Sequence, residues 1–225
     1  MSERSLAEEI IIHEAKKRTL YWLLGGGLTV VGPIVLIAAF ILGVANLQSS
    51  STTSTTTLGP THTNVAHPNQ IVKPWLSAIQ AASKATGVPA DWIAAEMVHE
   101  SRGNPNAGTL GGAYGLMQLE PGTMGASNAV RMNPAANVLY GTKLLAANYR
   151  LYHSWRLASA AYYGGSGTVN TALAHHGLHA PLPWSHAQSA LNVVPQAQYG
   201  NTLTLAQYAD NIYTTDLQLG GKGSA

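Results

Sequence analysis

Residues 89–103 read PADWIAAEMVHESRG, and the apolar spacing in this stretch predicts one amphipathic helix that ends at Gly103. Ile93, Met97 and Glu100 are three or four residues apart, so they share one face of that helix. Glu100 therefore stands at the end of an apolar stripe, in the last helical turn. A carboxyl group among apolar neighbours loses hydration, which raises its pKa. Such a group can act as a general acid at neutral pH.

Helix geometry alone leaves other interpretations of these acids open. Glu100 could form a surface ion pair with Arg102 or Lys84 instead of acting in catalysis. Glu96 lies one turn earlier on nearly the same face and is a rival for the catalytic role. Asp91 lies near the predicted helix N-terminus, where a carboxylate interacts favourably with the helix dipole, so a structural role is favoured there.

Helical patterns also occur outside this stretch. They extend over residues 74–85, 136–152 and 154–163, and further helices are expected at 168–175 and from 205 to about 217. No stretch shows sustained period-two alternation, which would indicate strands. The sequence therefore predicts a mainly α, single-domain fold.

The composition argues against a nucleic-acid-binding, disulfide-bonded or metal-binding protein. The chain has 225 residues, of which 46% are hydrophobic and 10% charged, enough for one domain and an appendage. The formal net charge is only +2, so we expect no nucleic-acid partner. The absence of cysteine excludes disulfides and thiolate metal sites. The histidines near Trp184 (His175, His176, His179 and His186) are irregularly spaced and lack acidic neighbours, so we expect no metal.

The N-terminal third has a different character. Residues 20–47 are almost continuously apolar and predict a transmembrane helix. The basic run Lys16-Lys17-Arg18 precedes it, which places residues 1–19 in the cytoplasm and the rest of the chain outside. A cleaved signal peptide is the alternative, but the apolar stretch exceeds the about 7–15 residues of such a segment. Residues 48–69 are rich in Ser and Thr and predict a flexible linker to a domain at 70–225.

Four motifs follow one another in the C-terminal part: ESRGNPNA at 100–107, GAYGLMQLEPGT at 112–123, NPAANVLYG at 133–141 and AAYYGG at 160–165. In this order they resemble the motifs of the soluble-lytic-transglycosylase (SLT) family over about residues 74–172. The resemblance implies the goose-type variant of the lysozyme fold. It also implies a cofactor-free enzyme that cuts the glycan strands of bacterial peptidoglycan.

The resemblance also assigns roles to residues. Glu100 matches the catalytic acid/base of the family, and the implied substrate contacts are Ser101, Met117, Gln118, Tyr162, Tyr163 and Tyr208. Two positions depart from the family pattern. Tyr163 replaces an amide residue, and Thr204 stands where the Glu-Thr-x-x-Tyr element has its acid, so that only Tyr208 of that element is clearly retained.

Three biochemical functions remain open at this point. In the family, the C6 hydroxyl of muramic acid attacks and gives a 1,6-anhydro product. A lysozyme-type hydrolase of the same bond would need a second carboxylate, for which Glu120 is the best candidate. A non-catalytic peptidoglycan-binding module is the third possibility. For the leading hypothesis we expect a membrane-anchored enzyme that opens the wall locally, for a secretion or conjugation apparatus, for wall turnover or for viral genome entry.

Overall fold

The chain segment around Glu100 forms the central helix of the fold. We describe it from a computed structural model, which covers residues 65–195 and 202–223. The predicted cytoplasmic tail, the transmembrane helix at 20–47 and nearly all of the predicted linker lie outside the described residues. Within the two described ranges, no helix is both long enough and apolar enough to cross a bilayer.

Nine α-helices make up the described part of the chain, and the connections between them are mostly short. Their bounds are α1 Pro68–Val72, α2 Leu76–Thr86, α3 Ala90–Ser101, α4 Asn128–Met132, α5 Pro134–Tyr152, α6 Trp155–Gly164, α7 Ser166–His175, α8 Trp184–Ala187 and α9 Leu205–Gln218. Two short 3-10 turns accompany them, at Lys73–Trp75 and Thr123–Gly125. Extended pairing in the described residues is limited to two isolated bridges, Gly108 with Tyr114 and Tyr114 with Leu119. The predicted mainly α fold is confirmed.

The six longer helices were predicted to within about two residues at each end, and the three short ones were missed. α1, α4 and α8 have five, five and four residues, which is too short for a helical period to show in the sequence. α1 begins at Pro68, which is buried, two residues before the predicted start of the domain at residue 70. The predicted domain boundaries stay predictions.

Local capping explains where several of these helices begin. The side chain of Asn133 accepts a hydrogen bond from the Ala136 amide at the start of α5. Thr204 and Gln207 form a reciprocal capping box at the start of α9. The cap at Thr204 matters for the site, because it orients the first turn of α9 and with it Tyr208.

The core is built around α3, which packs against α1, α2 and α9. All seven residues from Trp92 to Val98 are buried, Glu96 included. The predicted apolar stripe is thus one side of a helix that neighbouring elements cover all round over two turns. An ionisable side chain inside such a helix must find hydrogen-bond partners, because an unpaired buried polar group costs several kcal/mol.

A loop between α3 and α4 reaches the same end of α3, and Arg131 holds it in place. Arg131 is fully buried, and its guanidinium donates hydrogen bonds to loop carbonyls, including 2.9 Å each to those of Leu119 and Leu110. Asn137 of α5 accepts from the Met117 amide at 2.8 Å and donates to the Tyr114 carbonyl at 3.0 Å. The loop backbone is thus fixed by two buried side chains.

Candidate active site

Glu100 lies in the last turn of α3, where the helix emerges from the core. The residue is half-buried, and its Oε1 atom accepts a hydrogen bond from the hydroxyl of Tyr208. Tyr208 is only 4% exposed and comes from the first turn of α9. The carboxyl group is thus bound by a phenol from a distant part of the chain, in place of the surface partners Arg102 or Lys84 that the sequence left open.

Glu96 belongs to the same cluster. It has no exposed surface, and its Oε1 atom lies 3.0 Å from the Tyr208 hydroxyl oxygen. Ser159 of α6 donates to Glu96 Oε2 at 2.8 Å, and the indole N–H of Trp92 donates to Ser159 Oγ at 2.9 Å. Both candidate glutamates therefore lie in one hydrogen-bonded cluster, in which the Tyr208 hydroxyl contacts each of them.

Burial sets the protonation of this cluster. Burial raises the pKa of Glu100 to about 7, although the hydrogen bond from Tyr208 acts in the opposite direction. Burial, and then the charge of Glu100, raise the pKa of Glu96 to about 8. The pKa of His99 falls to about 4, because of its burial and the charge of Arg102, so this imidazole is neutral at pH 7. A carboxylic acid is consequently available here near neutral pH.

Two further tyrosines complete the wall of the site. The ring of Tyr163 stacks on that of Tyr208, with centroids 4.4 Å apart and an interplanar angle of 5°. The hydroxyl of Tyr162 donates to the Met117 carbonyl at 2.6 Å. Burial is the main cause that raises the pKa of both Tyr162 and Tyr208 well above the usual value, and the carboxylates add to it. All three phenols therefore stay neutral around pH 7.

Gly141 of α5 makes this packing possible. A Cβ atom added at Gly141 would lie 2.5 Å from Met117 Cβ and 2.9 Å from the Tyr162 hydroxyl oxygen. These distances are too short for real contacts, so any side chain at this position would push the loop and α6 away from α5. The close contact between Tyr162 and the loop depends on a residue without a side chain.

Three of the residues predicted to contact substrate have other contacts in this structure: Ser101 and Gln118 form hydrogen bonds with backbone groups, and Met117 is buried. Ser101 Oγ donates to the Met97 carbonyl at 3.3 Å and accepts from the Gly103 amide at 3.2 Å, which closes the end of α3. The Gln118 side-chain nitrogen donates to two loop carbonyls, at 2.9 and 3.1 Å. Met117 is fully buried. A contact between its side chain and a sugar would require the covering residues to move, so that role stays a prediction.

The other carboxylates lie in different surroundings. Glu120 is exposed in the loop, and its charge counteracts the lowering of the Arg131 pKa by burial. Asp91 lies in the first turn of α3, as predicted for a residue that interacts with the helix dipole. Asp210 of α9 accepts hydrogen bonds from Arg156 at 3.3 Å and from Gln188 at 2.7 Å. Each of these acids has surroundings different from those of the Glu96 and Glu100 pair.

Two partners in the cluster, Ser159 and Trp92, were not among the predicted site residues. Ser159 is the one hydroxyl residue in the otherwise apolar run LASAA at 157–161, which is a weak signal of a polar contact inside the core. Trp92 gives no comparable signal, since a tryptophan on a core helix is ordinary. In the part of the chain that the structure describes, no three His, Asp or Glu side chains are grouped as metal ligands.

Comparison with known proteins supports the resemblance read from the motifs. Residues 77–180 match the family model described as Transglycosylase SLT domain. A transglycosylase of Enterobacteria phage PRD1 is 36% identical over 99 residues, which cover 43% of this chain and 37% of that relative. The chain therefore aligns with well under half of the phage protein.

Solved structures show the same fold in larger proteins. The 70 kDa soluble lytic transglycosylase of Escherichia coli has a TM-score of 0.53 at 22% identity, over 67% of this chain and 25% of that one. The lytic transglycosylase Slt of Pseudomonas aeruginosa, solved as an inactive glutamate-to-glutamine mutant, has a TM-score of 0.52 at 25% identity, over 64% and 23%. A complex of a 70 kDa soluble lytic transglycosylase with bulgecin A gives 0.54 at 22% identity, over 69% and 26%. These similarities support a lysozyme-like SLT fold.

Proposed function

We propose that this chain is a peptidoglycan lytic transglycosylase that cleaves the β-1,4 bond between N-acetylmuramic acid and N-acetylglucosamine, with Glu100 as acid/base. The observation that carries the proposal is the Glu100 carboxyl group, half-buried at the end of α3 with its pKa raised by burial to about 7. The SLT family match, the phage transglycosylase and the fold of the lytic transglycosylases support it. In the Pseudomonas protein, the inactive mutant has lost one glutamate carboxyl, which supports an essential glutamate.

The reaction needs one group that first gives a proton and then takes one. Protonated Glu100 donates its proton to the glycosidic oxygen, and the bond between that oxygen and C1 of the muramic acid breaks. The Glu100 carboxylate then accepts the proton of the C6 hydroxyl, whose oxygen forms the new bond to C1. The products are a free 4-hydroxyl on glucosamine and a 1,6-anhydromuramic end. Glu100 is protonated again, and no water is consumed.

The placement of the other acids favours this route over hydrolysis. A hydrolase needs a second carboxylate that faces the substrate, about 5–5.5 Å from the first for retention or about 6.5–9.5 Å for inversion. Glu96 is near Glu100 but fully buried, and its oxygens are bound by Ser159 and Tyr208. Glu120 is exposed beside Arg131. Attack by the sugar's own hydroxyl requires no such partner.

Mass spectrometry of the fragments that the full-length chain releases from purified peptidoglycan tests the proposal. We expect 1,6-anhydro-muropeptides from the wild type and a loss of about 10²- to 10⁴-fold for Glu100→Gln, the usual contribution of a general acid/base. Glu120→Gln is the matched control and should release the same products as the wild type. Reducing-end products would instead indicate a hydrolase. No products from folded protein, together with tight binding to the glycan, would indicate a binding module.

We further propose that residues 20–47 anchor the chain in a lipid bilayer and that the enzyme opens the wall locally near that membrane. The length and apolarity of the segment and the basic residues before it support the anchor. The phage relative favours viral genome entry among the settings considered above. A chain lacking residues 1–47 should still cut isolated peptidoglycan but lose its function in the infected or producing cell. Full function of the truncated chain in the cell would refute local anchoring.

A further inference from the structure

The hydrogen count of the site shows that its two carboxyl groups cannot both be simple acceptors. The Tyr208 hydroxyl has one hydrogen, yet its oxygen lies within hydrogen-bond distance of Oε1 of both Glu96 and Glu100. One hydrogen can be donated to one of them. The other contact is favourable only when that carboxyl carries a proton and donates it to the phenol oxygen. Every contact in the cluster is therefore a hydrogen bond when the two carboxyls hold one proton between them, and one contact lacks a hydrogen when they hold none.

The far side of Glu96 fixes which of its atoms carries that proton. The Trp92 indole can only donate, and it donates to Ser159 Oγ at 2.9 Å. Ser159 then donates its own hydrogen to Glu96 Oε2 at 2.8 Å. Oε2 is consequently an acceptor, and a proton on Glu96 is placed on Oε1, which faces Tyr208.

Two arrangements satisfy every group in this chain of hydrogen bonds. In one, Glu96 donates to Tyr208, and Tyr208 donates to a charged Glu100. In the other, Glu100 donates to Tyr208, and Tyr208 donates to a charged Glu96. They differ by a concerted shift of two protons through the phenol oxygen. Both arrangements hold one negative charge in all.

The surroundings disfavour a second negative charge. Tyr162 and Tyr163 face the pair from α6 and Tyr208 from α9, and burial raises the pKa of each, so they are neutral. His99 of α3 is also neutral, with a pKa of about 4. None of these four side chains carries a positive charge, and Tyr208 is the one among them that donates a hydrogen bond to the pair. Two carboxylates that share such a site ionise in separate steps.

The charged side chains of the helices packed against α3 have other environments. Lys84 of α2 and Arg102 at the end of α3 are exposed. Asp210 of α9 is paired with Arg156, and Asp216 accepts from the Gly223 amide at 3.0 Å. The sequence of α1 has no charged residue.

We propose that Glu96 is a positioning residue that shares one proton with Glu100 through the Tyr208 hydroxyl, so that the pair keeps a proton available to Glu100 up to a higher pH than a single carboxyl would. The inference rests on the proposed function, because it gives Glu96 a part in turnover by Glu100. In the Glu96→Gln variant, only one of the two hydrogen-bond arrangements described above would remain possible. The new amide would donate to Tyr208, Tyr208 would donate to Glu100, and the charged form of Glu100 would then be favoured.

The pH profile of anhydro-muropeptide release by the full-length chain tests this proposal. The loss of activity in Glu96→Gln should be smallest at low pH, where both carboxyls of the wild type are protonated, and should grow as the pH rises. The alkaline midpoint of its activity should move down by about one pH unit, the coupling at which two sites titrate as a pair. Glu120→Gln is the matched control. It makes the same acid-to-amide change at an exposed loop carboxyl outside the cluster, so its alkaline midpoint should stay within a few tenths of the wild-type value.

The outcomes separate the two proposals. A wild type that releases no anhydro product refutes the proposed function. An active wild type whose profile runs parallel to that of Glu96→Gln refutes the shared proton alone. NMR titration of wild-type chain labelled with ¹³C at the glutamate carboxyl carbons gives a test that does not depend on a variant folding. We expect the Glu96 and Glu100 signals each to show two steps, whereas independent single steps would refute the proposal.

Discussion

Helix α9 contributes to two acidic sites that are stabilised in opposite ways. Tyr208, in its first turn, contacts Glu96 and Glu100 with a neutral phenol. Asp210, two residues later and therefore on nearly the opposite face, pairs with the Arg156 guanidinium at 3.3 Å. A cation beside a carboxylate favours its charged form, whereas neutral donors in a buried site leave a proton in place. Within a single turn, α9 thus carries an acid that is paired with a cation and a phenol that contacts the Glu96 and Glu100 pair.

The largest expected difference between the two acidic sites is that removal of the Glu96 carboxyl should stabilise the protein at high pH. The folded pKa values of Glu96 and Glu100, about 8 and about 7, lie above the ordinary value of 4.5. The folded protein therefore keeps protons that the unfolded chain releases, so the free energy of unfolding falls as pH rises from about 4.5 to 8. Glu96→Gln lacks one of these groups. We expect it to be more stable than the wild type at pH 8 by about 2–4 kcal/mol and nearly equal at pH 5.

Urea unfolding at pH 5 and at pH 8 measures this difference. Asp210→Asn serves as the comparison, because its carboxylate is paired with Arg156 and its removal should give no gain at the higher pH. An equal pH dependence for the wild type and Glu96→Gln would show that Glu96 is charged in the folded state and would break the contrast between the two sites.

A smaller effect is expected at the second site when its cation is removed. Arg156→Met keeps much of the side-chain length but takes the guanidinium away from the buried Asp210, which still accepts from Gln188, so unfolding should become easier by about 1–3 kcal/mol. The pH profile of activity should not move. Arg150→Met, at an exposed position of α5, is the control and should be nearly neutral. Thermal unfolding at pH 7 compares the three proteins, and a destabilisation of Arg150→Met as large as that of Arg156→Met would refute the role of the pair.

The smallest expected effect concerns the helix start that both sites share. Thr204→Ala removes the capping box of α9 and should cost about 1 kcal/mol. Because the cap orients the turn that carries Tyr208, we also expect a loss of activity of less than tenfold. Thr202→Ala, exposed just before the cap, is the control and should change neither stability nor activity. An unchanged free energy of unfolding for Thr204→Ala would show that the cap does not stabilise α9.

The sequence predicted the features that depend on local spacing. The six longer helices follow the helical period, and Glu100 was placed at the end of α3 by its distance from Ile93 and Met97. The motif resemblance added Tyr208, whose contact with Glu100 joins two distant parts of the chain. Spacing alone could not have found that contact, because it depends on how α9 packs on α3.

The sequence could not show burial that results from packing. The sequence places Glu96 one turn before Glu100 on nearly the same face, but neighbouring elements cover α3 and leave Glu96 with no exposed surface. The resemblance assigns Met117 a substrate contact, and the structure buries its side chain close to Gly141. Both outcomes depend on elements far away in sequence, and local periodicity carries no information about them. The assigned substrate contacts and the membrane anchor stay predictions.

Gly141 has a consequence for anyone who wishes to transplant this chemistry into a designed helical scaffold. A graft defined by the groups expected near the sugar would copy Glu100, Tyr162 and Tyr208 and would overlook α5. With any larger residue at position 141, the scaffold would force Tyr162 away from the Met117 carbonyl and would displace the ring from its place beside Glu100. The smallest portable version of the site therefore includes an empty volume on a helix behind Tyr162, which is specified by the absence of a side chain.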